Sequence, residues 1–232
     1  KKIFHTNLIE TPRYGENPHQ KSAIYSKNSS LKINQIHGKQ LSYNNYSDIF
    51  SALTISKSLP KNIGTVIVKH ANPCGVSVNK DHLKSYKLAL ACDPISAFGG
   101  IVSCNFQINK NLASELNKLF LEVIIGNGFE KDAIKLLKKK KNLRLIDATN
   151  YSFKEILRFI SSNEELLVQT EDIKNFSNKD FKVVSKKKPS HKQMKNLIFA
   201  FNVCRYVKSN AIVLASKETT VGIGSGQPSR LD

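Results

Sequence analysis

The stretch Val66-Ile67-Val68-Lys69-His70-Ala71-Asn72-Pro73-Cys74-Gly75 decides the fold class. Residues 65 to 68 are four β-branched residues in a row. The run is too short for a helix and too apolar for a strand with a wet face, so it predicts a strand of a parallel sheet covered on both sides. Turn chemistry in Asn72-Pro73-Cys74-Gly75 then holds Lys69 and His70 at the carboxyl end of that strand, where open α/β sheets bind their ligands. An imidazole titrates near neutral pH, and a desolvated Lys beside it has its pKa lowered. The pair therefore has the chemistry of a base and an acid for one proton transfer. A Lys at the sheet rim and a His bonded to backbone account for the same residues without catalysis, and from spacing alone that is the more economical account.

Working outward, residues 33–43 read as extended and 45–58 as a helix with Ile49, Leu53 and Ile55 on its buried side. After the Val66 strand, Asp81 is placed to cap a helix carrying Leu83, Tyr86 and Leu90 at helical spacing, which puts Lys69 and His70 at the joint of a β-loop-α unit. Cys92-Asp93-Pro94-Ile95-Ser96-Ala97-Phe98-Gly99-Gly100 is a second dense loop, and its paired glycines permit close backbone approach. A strand over 101–106 follows, and then helices over 111–120 and 131–139 alternate with strands over 122–125 and 143–146. Residues 1–150 thus read as one layered α/β unit. Residues 151–189 are polar and irregular, ending in Lys186-Lys187-Lys188-Pro189, and read as a linker or boundary. Ser190 caps a long helix with Met194, Leu197, Ile198, Phe201 and Cys204 on one face, and a strand over 211–215 opens a second, incomplete α/β unit over 190–232.

With 232 residues and 40% apolar content, the chain can bury one substantial core or two small ones. Thirty-six Lys and Arg against 18 Asp and Glu give a formal charge of +18, which favours anionic partners. The excess is mostly scattered Lys, and the dense runs at 138–141 and 186–188 lack the interleaved aromatics of a single-strand platform, so nucleic acid is the less favoured partner. Four widely spaced cysteines without a C-x-x-C predict reduced thiols and a cytoplasmic protein. No apolar run reaches the roughly 20 residues of a membrane span, and the first residues lack a signal-peptide core. The chain starts without Met and stops just after a dense motif, which reads as a piece of a longer protein.

Several motifs are excluded. Gly222, Gly224 and Gly226 do not match G-x-G-x-x-G, and no G-K-[ST] follows, which argues against a Rossmann site. Arg230 beside them is either a planar-anion contact or a surface Arg after a turn. A zinc-deaminase site needs H-x-E and P-C-x-x-C. Here Pro73-Cys74 is followed by Ser77, and Asn72 stands two after His70, so the metal ligands are missing.

Six ordered blocks together carry a resemblance. They are Arg13 to Gln20, Leu41 to Asn45, Lys69 to Gly75, Cys92 to Gly100, Lys208 to Val213 and Gly222 to Arg230. They resemble the transformylase region of the PurH family of bifunctional purine-biosynthesis enzymes, AICAR formyltransferase fused to an amino-terminal IMP cyclohydrolase domain. The resemblance implies cytidine-deaminase-like α/β/α subdomains without zinc, the second one truncated here. It implies formyl transfer from 10-formyltetrahydrofolate to the 5-amino group of AICAR, giving FAICAR, in a homodimer. By the same resemblance, His70 relays the proton off the attacking amine, and Lys69 stabilises the oxyanion or protonates the leaving nitrogen. Asn210 and Arg230 hold the carboxamide, Arg13 and Tyr14 contact phosphate and ribose, and Phe98 and Gly99 line the pocket. The cyclohydrolase domain and the rest of the second subdomain are outside these blocks, so the isolated chain is expected to be folded but inactive. Two other classes stay open: a basic nucleic-acid or ribonucleotide-binding module, and a self-associating fragment without activity.

Overall fold

In the computed structural model, which describes residues 3–152 and 157–229, the Val66 strand is a central strand of a mixed sheet. In chain order the elements begin with β1 (Asn7–Glu10), β2 (Ile24–Ser26), β3 (Asn34–His37), α1 (Tyr43–Ser58), β4 (Gly64–Lys69) and β5 (Asn72–Val78). They continue with α2 (His82–Cys92), β6 (Ile101–Cys104), α3 (Lys110–Leu116), β7 (Val123–Gly126), α4 (Lys131–Leu137) and β8 (Arg144–Asp147). The hairpin β9 (Leu157–Ser162) and β10 (Glu165–Thr170) follows, and then α5 (His191–Cys204), β11 (Ile212–Ser216) and β12 (Thr219–Gly224). The main sheet has the order β11-β12-β5-β4-β6-β7-β8-β3.

The strand period of two divides the core into two layers. Val66, Val68, Ile101, Val123, Ile125 and Ile146 pack with Ile49, Leu53 and Ile55 of α1 on one face. Ile67, Val102, Ile124 and Leu145 pack on the other with Tyr86 and Ala89 of α2, Leu112 of α3 and Leu137 of α4. Burial of each such side chain contributes about 1.5–3 kcal/mol, and this double cover explains why the strands read as continuous apolar runs. The α1 helix starts at Tyr43, two residues before the predicted position. Ser42 and Asn45 form a capping box, the Ser42 Oγ accepting from the Asn45 N–H while the Asn45 Oδ1 accepts from the Ser42 N–H, both at 3.1 Å. The predicted cap of α2 is present, with Asp81 accepting from the Lys84 N–H at 3.0 Å.

Three expectations about the sheet and α5 need correction. First, β4 is antiparallel to both its neighbours, and the parallel pairs are β6 with β7 and β7 with β8. Second, Asn72-Pro73-Cys74-Gly75 is the start of β5 and not a turn. Lys69 pairs with Asn72, so the loop is the two residues His70 and Ala71, and β4 leads into a hairpin before any helix. The register then shifts between Ile67 and Val68, so that Gly75 faces Ile67 and Pro73 faces Val68. Cys74 is the extra residue of this bulge, which accommodates a Pro with no ladder donor. Gly75 follows because α2 lies against it: a Cβ there would stand 1.9 Å from the Ala89 carbonyl oxygen. Third, α5 is rotated from its predicted face. Phe199 and Val203 are buried, while Leu197 and Phe201 are exposed.

Within 151–189, where irregular chain was expected, β9 and β10 form a regular antiparallel hairpin over six paired positions. The sequence carries no period-2 alternation there, because both faces have mixed polar and apolar residues and nearly all of them are exposed. Helix α5 does begin at its Ser190 cap. The strand expected over 211–215 is β11, and it reaches the main sheet through β12. There Thr219 pairs with Ser77, their hydroxyls are 2.8 Å apart, and the Thr220 Oγ1 accepts from the Val76 N–H at 2.9 Å.

Candidate functional site

The site grows from the tip of the β4–β5 hairpin. His70 and Ala71 have φ values of 52° and 58°, the geometry of a primed two-residue turn that usually selects Asn-Gly. A non-glycine residue in this region costs on the order of 1 kcal/mol, so two in succession require support from outside the hairpin. Helix α1 supplies it. Asp48 accepts a hydrogen bond from the Ala71 N–H at 2.6 Å, and the Ser51 hydroxyl donates to the Ala71 carbonyl at 2.8 Å. Burial pushes the half-buried Asp48 carboxyl upward, against the opposing effects of the Ala71 hydrogen bond and the neighbouring His70.

Beneath the tip lies a cavity of about 480 Å³. Lys69, His70 and Asn72 form its hairpin wall, Cys92, Asp93 and Ser96 its loop wall, and Gly222 and Ser225 the wall from the end of β12. Lys69 is oriented by the second dense loop, its Nζ donating to the Phe98 carbonyl at 2.5 Å. Gly99, at φ +68°, donates its N–H to the Phe120 carbonyl at 2.8 Å, and a Cβ there would meet the Lys69 Nζ at 3.1 Å. One ammonium N–H is thus committed to protein, leaving two for a ligand. Asp93 faces the same space with its carboxyl held below the ordinary range by hydrogen bonds from the Ser96 side chain and backbone. Burial pushes the Cys74 thiol up to about 12 and also raises that of Cys92. Both therefore stay protonated near neutral pH and are poor nucleophiles. The cavity offers a cation, an imidazole and an anion for binding and proton transfer.

Of the residues singled out from sequence, Lys69 and His70 line this cavity, and Phe98 and Gly99 set the Lys69 head. Asn210 is joined to its rim. Its carbonyl accepts from the Gln227 N–H at 3.1 Å, and the neighbouring Lys208 N–H donates to the Asn72 Oδ1 at 3.1 Å. Among the described residues, Arg13 and Tyr14 do not line the cavity. Their loop is tied instead to the start of α1, where the Asn44 side chain donates to the Glu16 carbonyl at 3.2 Å. Arg230 lies outside the described residues. Sequence reading missed Asp48, Ser51 and the bridging role of Asn72, whose side-chain amide also donates to the His70 carbonyl at 3.2 Å. A signal was present: Asn44, Asp48 and Ser51 stand at i, i+4 and i+7, a polar stripe beside the buried face of the helix. Among the described residues, no three His, Cys, Asp or Glu are grouped so as to hold a metal ion, and no helix is long and apolar enough to cross a membrane.

A mixed sheet covered by helices, with a polar cavity at the strand ends, defines a mixed α/β protein with a candidate binding pocket. The comparison with known families is more specific. The model of the AICARFT/IMPCHase bienzyme family matches residues 2–232, and the chain belongs to that family. It is 42% identical over 225 residues to the bifunctional purine biosynthesis protein PurH of Bacillus cereus, covering 94% of this chain and 44% of that protein. It is 43% identical over 233 residues to the protein of the same name from Persephonella marina, covering 96% and 44%. For that of Rhodospirillum rubrum the identity is 41% over 240 residues, covering 99% and 45%. The chain therefore spans a little under half the length of these relatives.

Proposed function

We propose that this chain serves purine biosynthesis as part of an AICAR formyltransferase, moving a formyl group from 10-formyltetrahydrofolate to the 5-amino group of AICAR. The observation that carries this reading is the placement of Lys69 and His70 together at the edge of a polar cavity, in a chain that matches the family over residues 2–232. The AICAR amine is a weak nucleophile because its lone pair is drawn into the imidazole carboxamide. As that nitrogen bonds to the formyl carbon, His70 takes the amine proton and the Lys69 ammonium meets the charge developing on the formyl oxygen. The bond from the formyl carbon to N10 then breaks, and N10 recovers a proton, a role this reading also gives to Lys69. The product is FAICAR.

In this reading Asn210 and Arg230 hold the carboxamide and fix the amine for attack. Arg13 and Tyr14 contact phosphate and ribose from the loop that Asn44 anchors, and Phe98 and Gly99 border the substrate. The same reading includes zinc-free cytidine-deaminase-like subdomains, one over 1–150 and another opening over 190–232 beyond a 151–189 boundary. It also includes a cytoplasmic homodimer. IMP cyclohydrolase activity is proposed for the whole polypeptide and not for these residues.

The test is to graft this chain in place of the matching residues of the Bacillus cereus relative and to measure formyl transfer and AICAR binding. His70→Ala should lower turnover by about 10²-fold or more, the scale of general acid–base catalysis, with AICAR affinity retained. Unchanged turnover with AICAR bound would remove His70 from the mechanism. Binding of nucleic acid with a steep salt dependence, and no competition by AICAR, would favour the basic-module reading instead.

A further inference from the structure

Both polar backbone groups of Ala71 are held by side chains of α1, its N–H by Asp48 and its carbonyl by Ser51, at 2.6 and 2.8 Å. The turn they hold is made of two non-glycine residues at positive φ, and such a turn has no intrinsic reason to persist. Bonds of this kind, one of them to a carboxylate, are strong enough to decide which of two turn conformations is occupied. The other titratable group facing Asp48 besides His70 is Glu122, which accepts from the Asn45 amide at 2.9 Å. The hydrogen-bond partners of Asp48 are thus backbone groups at the hairpin tip.

We infer that Asp48, supported by Ser51, is a positioning residue that holds the His70–Ala71 tip in its left-handed conformation and so presents the His70 imidazole to the cavity. The catalytic consequence rests on the formyl-transfer reading; the conformational claim does not. The link from α1 is physical and short. Asn44 of the same stripe anchors the loop carrying Arg13 and Tyr14, so one helix face fixes both that loop and the tip.

Two readouts test this. In the chain itself, Asp48→Ala should speed hydrogen exchange at the Ala71 amide by about tenfold or more, the scale of one lost charge-assisted bond, and shift the His70 ring resonances. Asp48→Asn keeps an acceptor oxygen and should stay within about threefold of the parent. Ala71→Gly placed in the Asp48→Ala background should restore the ring resonances, because Gly adopts positive φ without help. In the graft described above, Asp48→Ala should lower kcat by about tenfold with KM for AICAR changed less than about threefold, and Ala71→Gly should recover most of the loss. Unchanged Ala71 exchange and His70 resonances in Asp48→Ala would overturn the inference. So would a natively folded Asp48→Ala protein that Ala71→Gly fails to rescue. A graft without formyl transfer would defeat the functional reading alone, since exchange in the chain still decides the conformational one.

Discussion

At the tip of β4 and β5, His70 and Ala71 have φ values of 52° and 58°; at the tip of β11 and β12, Lys217 and Glu218 have 52° and 53°. Both are two-residue loops without glycine, and each is held by a side chain from a helix, Asp48 of α1 in the first and Asn196 of α5 in the second. The Glu218 N–H donates to the Asn196 Oδ1 at 3.1 Å, while the Glu218 carbonyl accepts from Val78 at 3.0 Å. The first tip overhangs a polar cavity, and the second presents an exposed Lys217 and a Glu218 that reaches Lys195 at 3.5 Å. Glu218 also borders a separate cavity with Lys57, Asn175 and Tyr206, so the same backbone strain stands in two different settings. What separates the two is what the strained residue delivers, and to where.

The largest expected effect breaks the comparison outright. His70→Ala should cost about 10²-fold or more in formyl transfer while changing stability by no more than about 0.5 kcal/mol, because the ring is exposed. Lys217→Ala should leave both unchanged, and parallel kinetics and thermal melts decide it. Next is the support beneath the first tip. Gly75→Ala pushes a methyl into the Ala89 carbonyl and should destabilise by about 3 kcal/mol, read as a fall in the denaturant midpoint.

An alkaline effect separates the two hairpins further. The thiols of Cys74, at the bulge below the first tip, and of buried Cys104 in β6 are both pushed up to about 12 by burial. Burial and the Glu10 carboxylate likewise raise the Tyr46 phenol. The folded thiol pKa values exceed the unfolded ones, so the thiols' contribution is complete below about pH 9 and is lost as pH rises toward 12, with that of the phenol lost at still higher pH. By pH 10 the loss is on the order of 1 kcal/mol per thiol. Melting temperature should fall above pH 9, and Cys74→Ala should flatten that fall. The smallest effect is at the second tip: Asn196→Ala should cost about 1 kcal/mol in stability with turnover untouched. A loss of turnover there would show that the two tips are coupled.

How much of this was legible follows from the range of the interactions involved. The four β-branched residues before Lys69, the Asp81 and Ser190 caps and the αβ alternation to Ile146 are local patterns, and each was found where the structure has it. Asn72-Pro73-Cys74-Gly75 misled because its composition is that of a turn, whereas the real turn, His-Ala, has none of the usual residues. Its conformation is imposed by Asp48, 23 positions earlier in the chain. Likewise the face of α5 is chosen by the sheet it meets, which buries Phe199 and Val203 and leaves the longer predicted stripe partly exposed.

By itself, then, the sequence determined that a doubly covered strand ends in Lys69 and His70, because periodicity and β-branching act within a few residues of each other. Its ordered motifs also determined the family. Only the tertiary structure decided that the strand turns back on itself, that β12 closes the cavity wall, and that α1 holds the tip. The contacts from α1 and β12 join residues 20 to 144 positions apart, their hydrogen bonds and packing outweigh local preference, and the polar stripe of α1 is the periodic trace they leave in the chain.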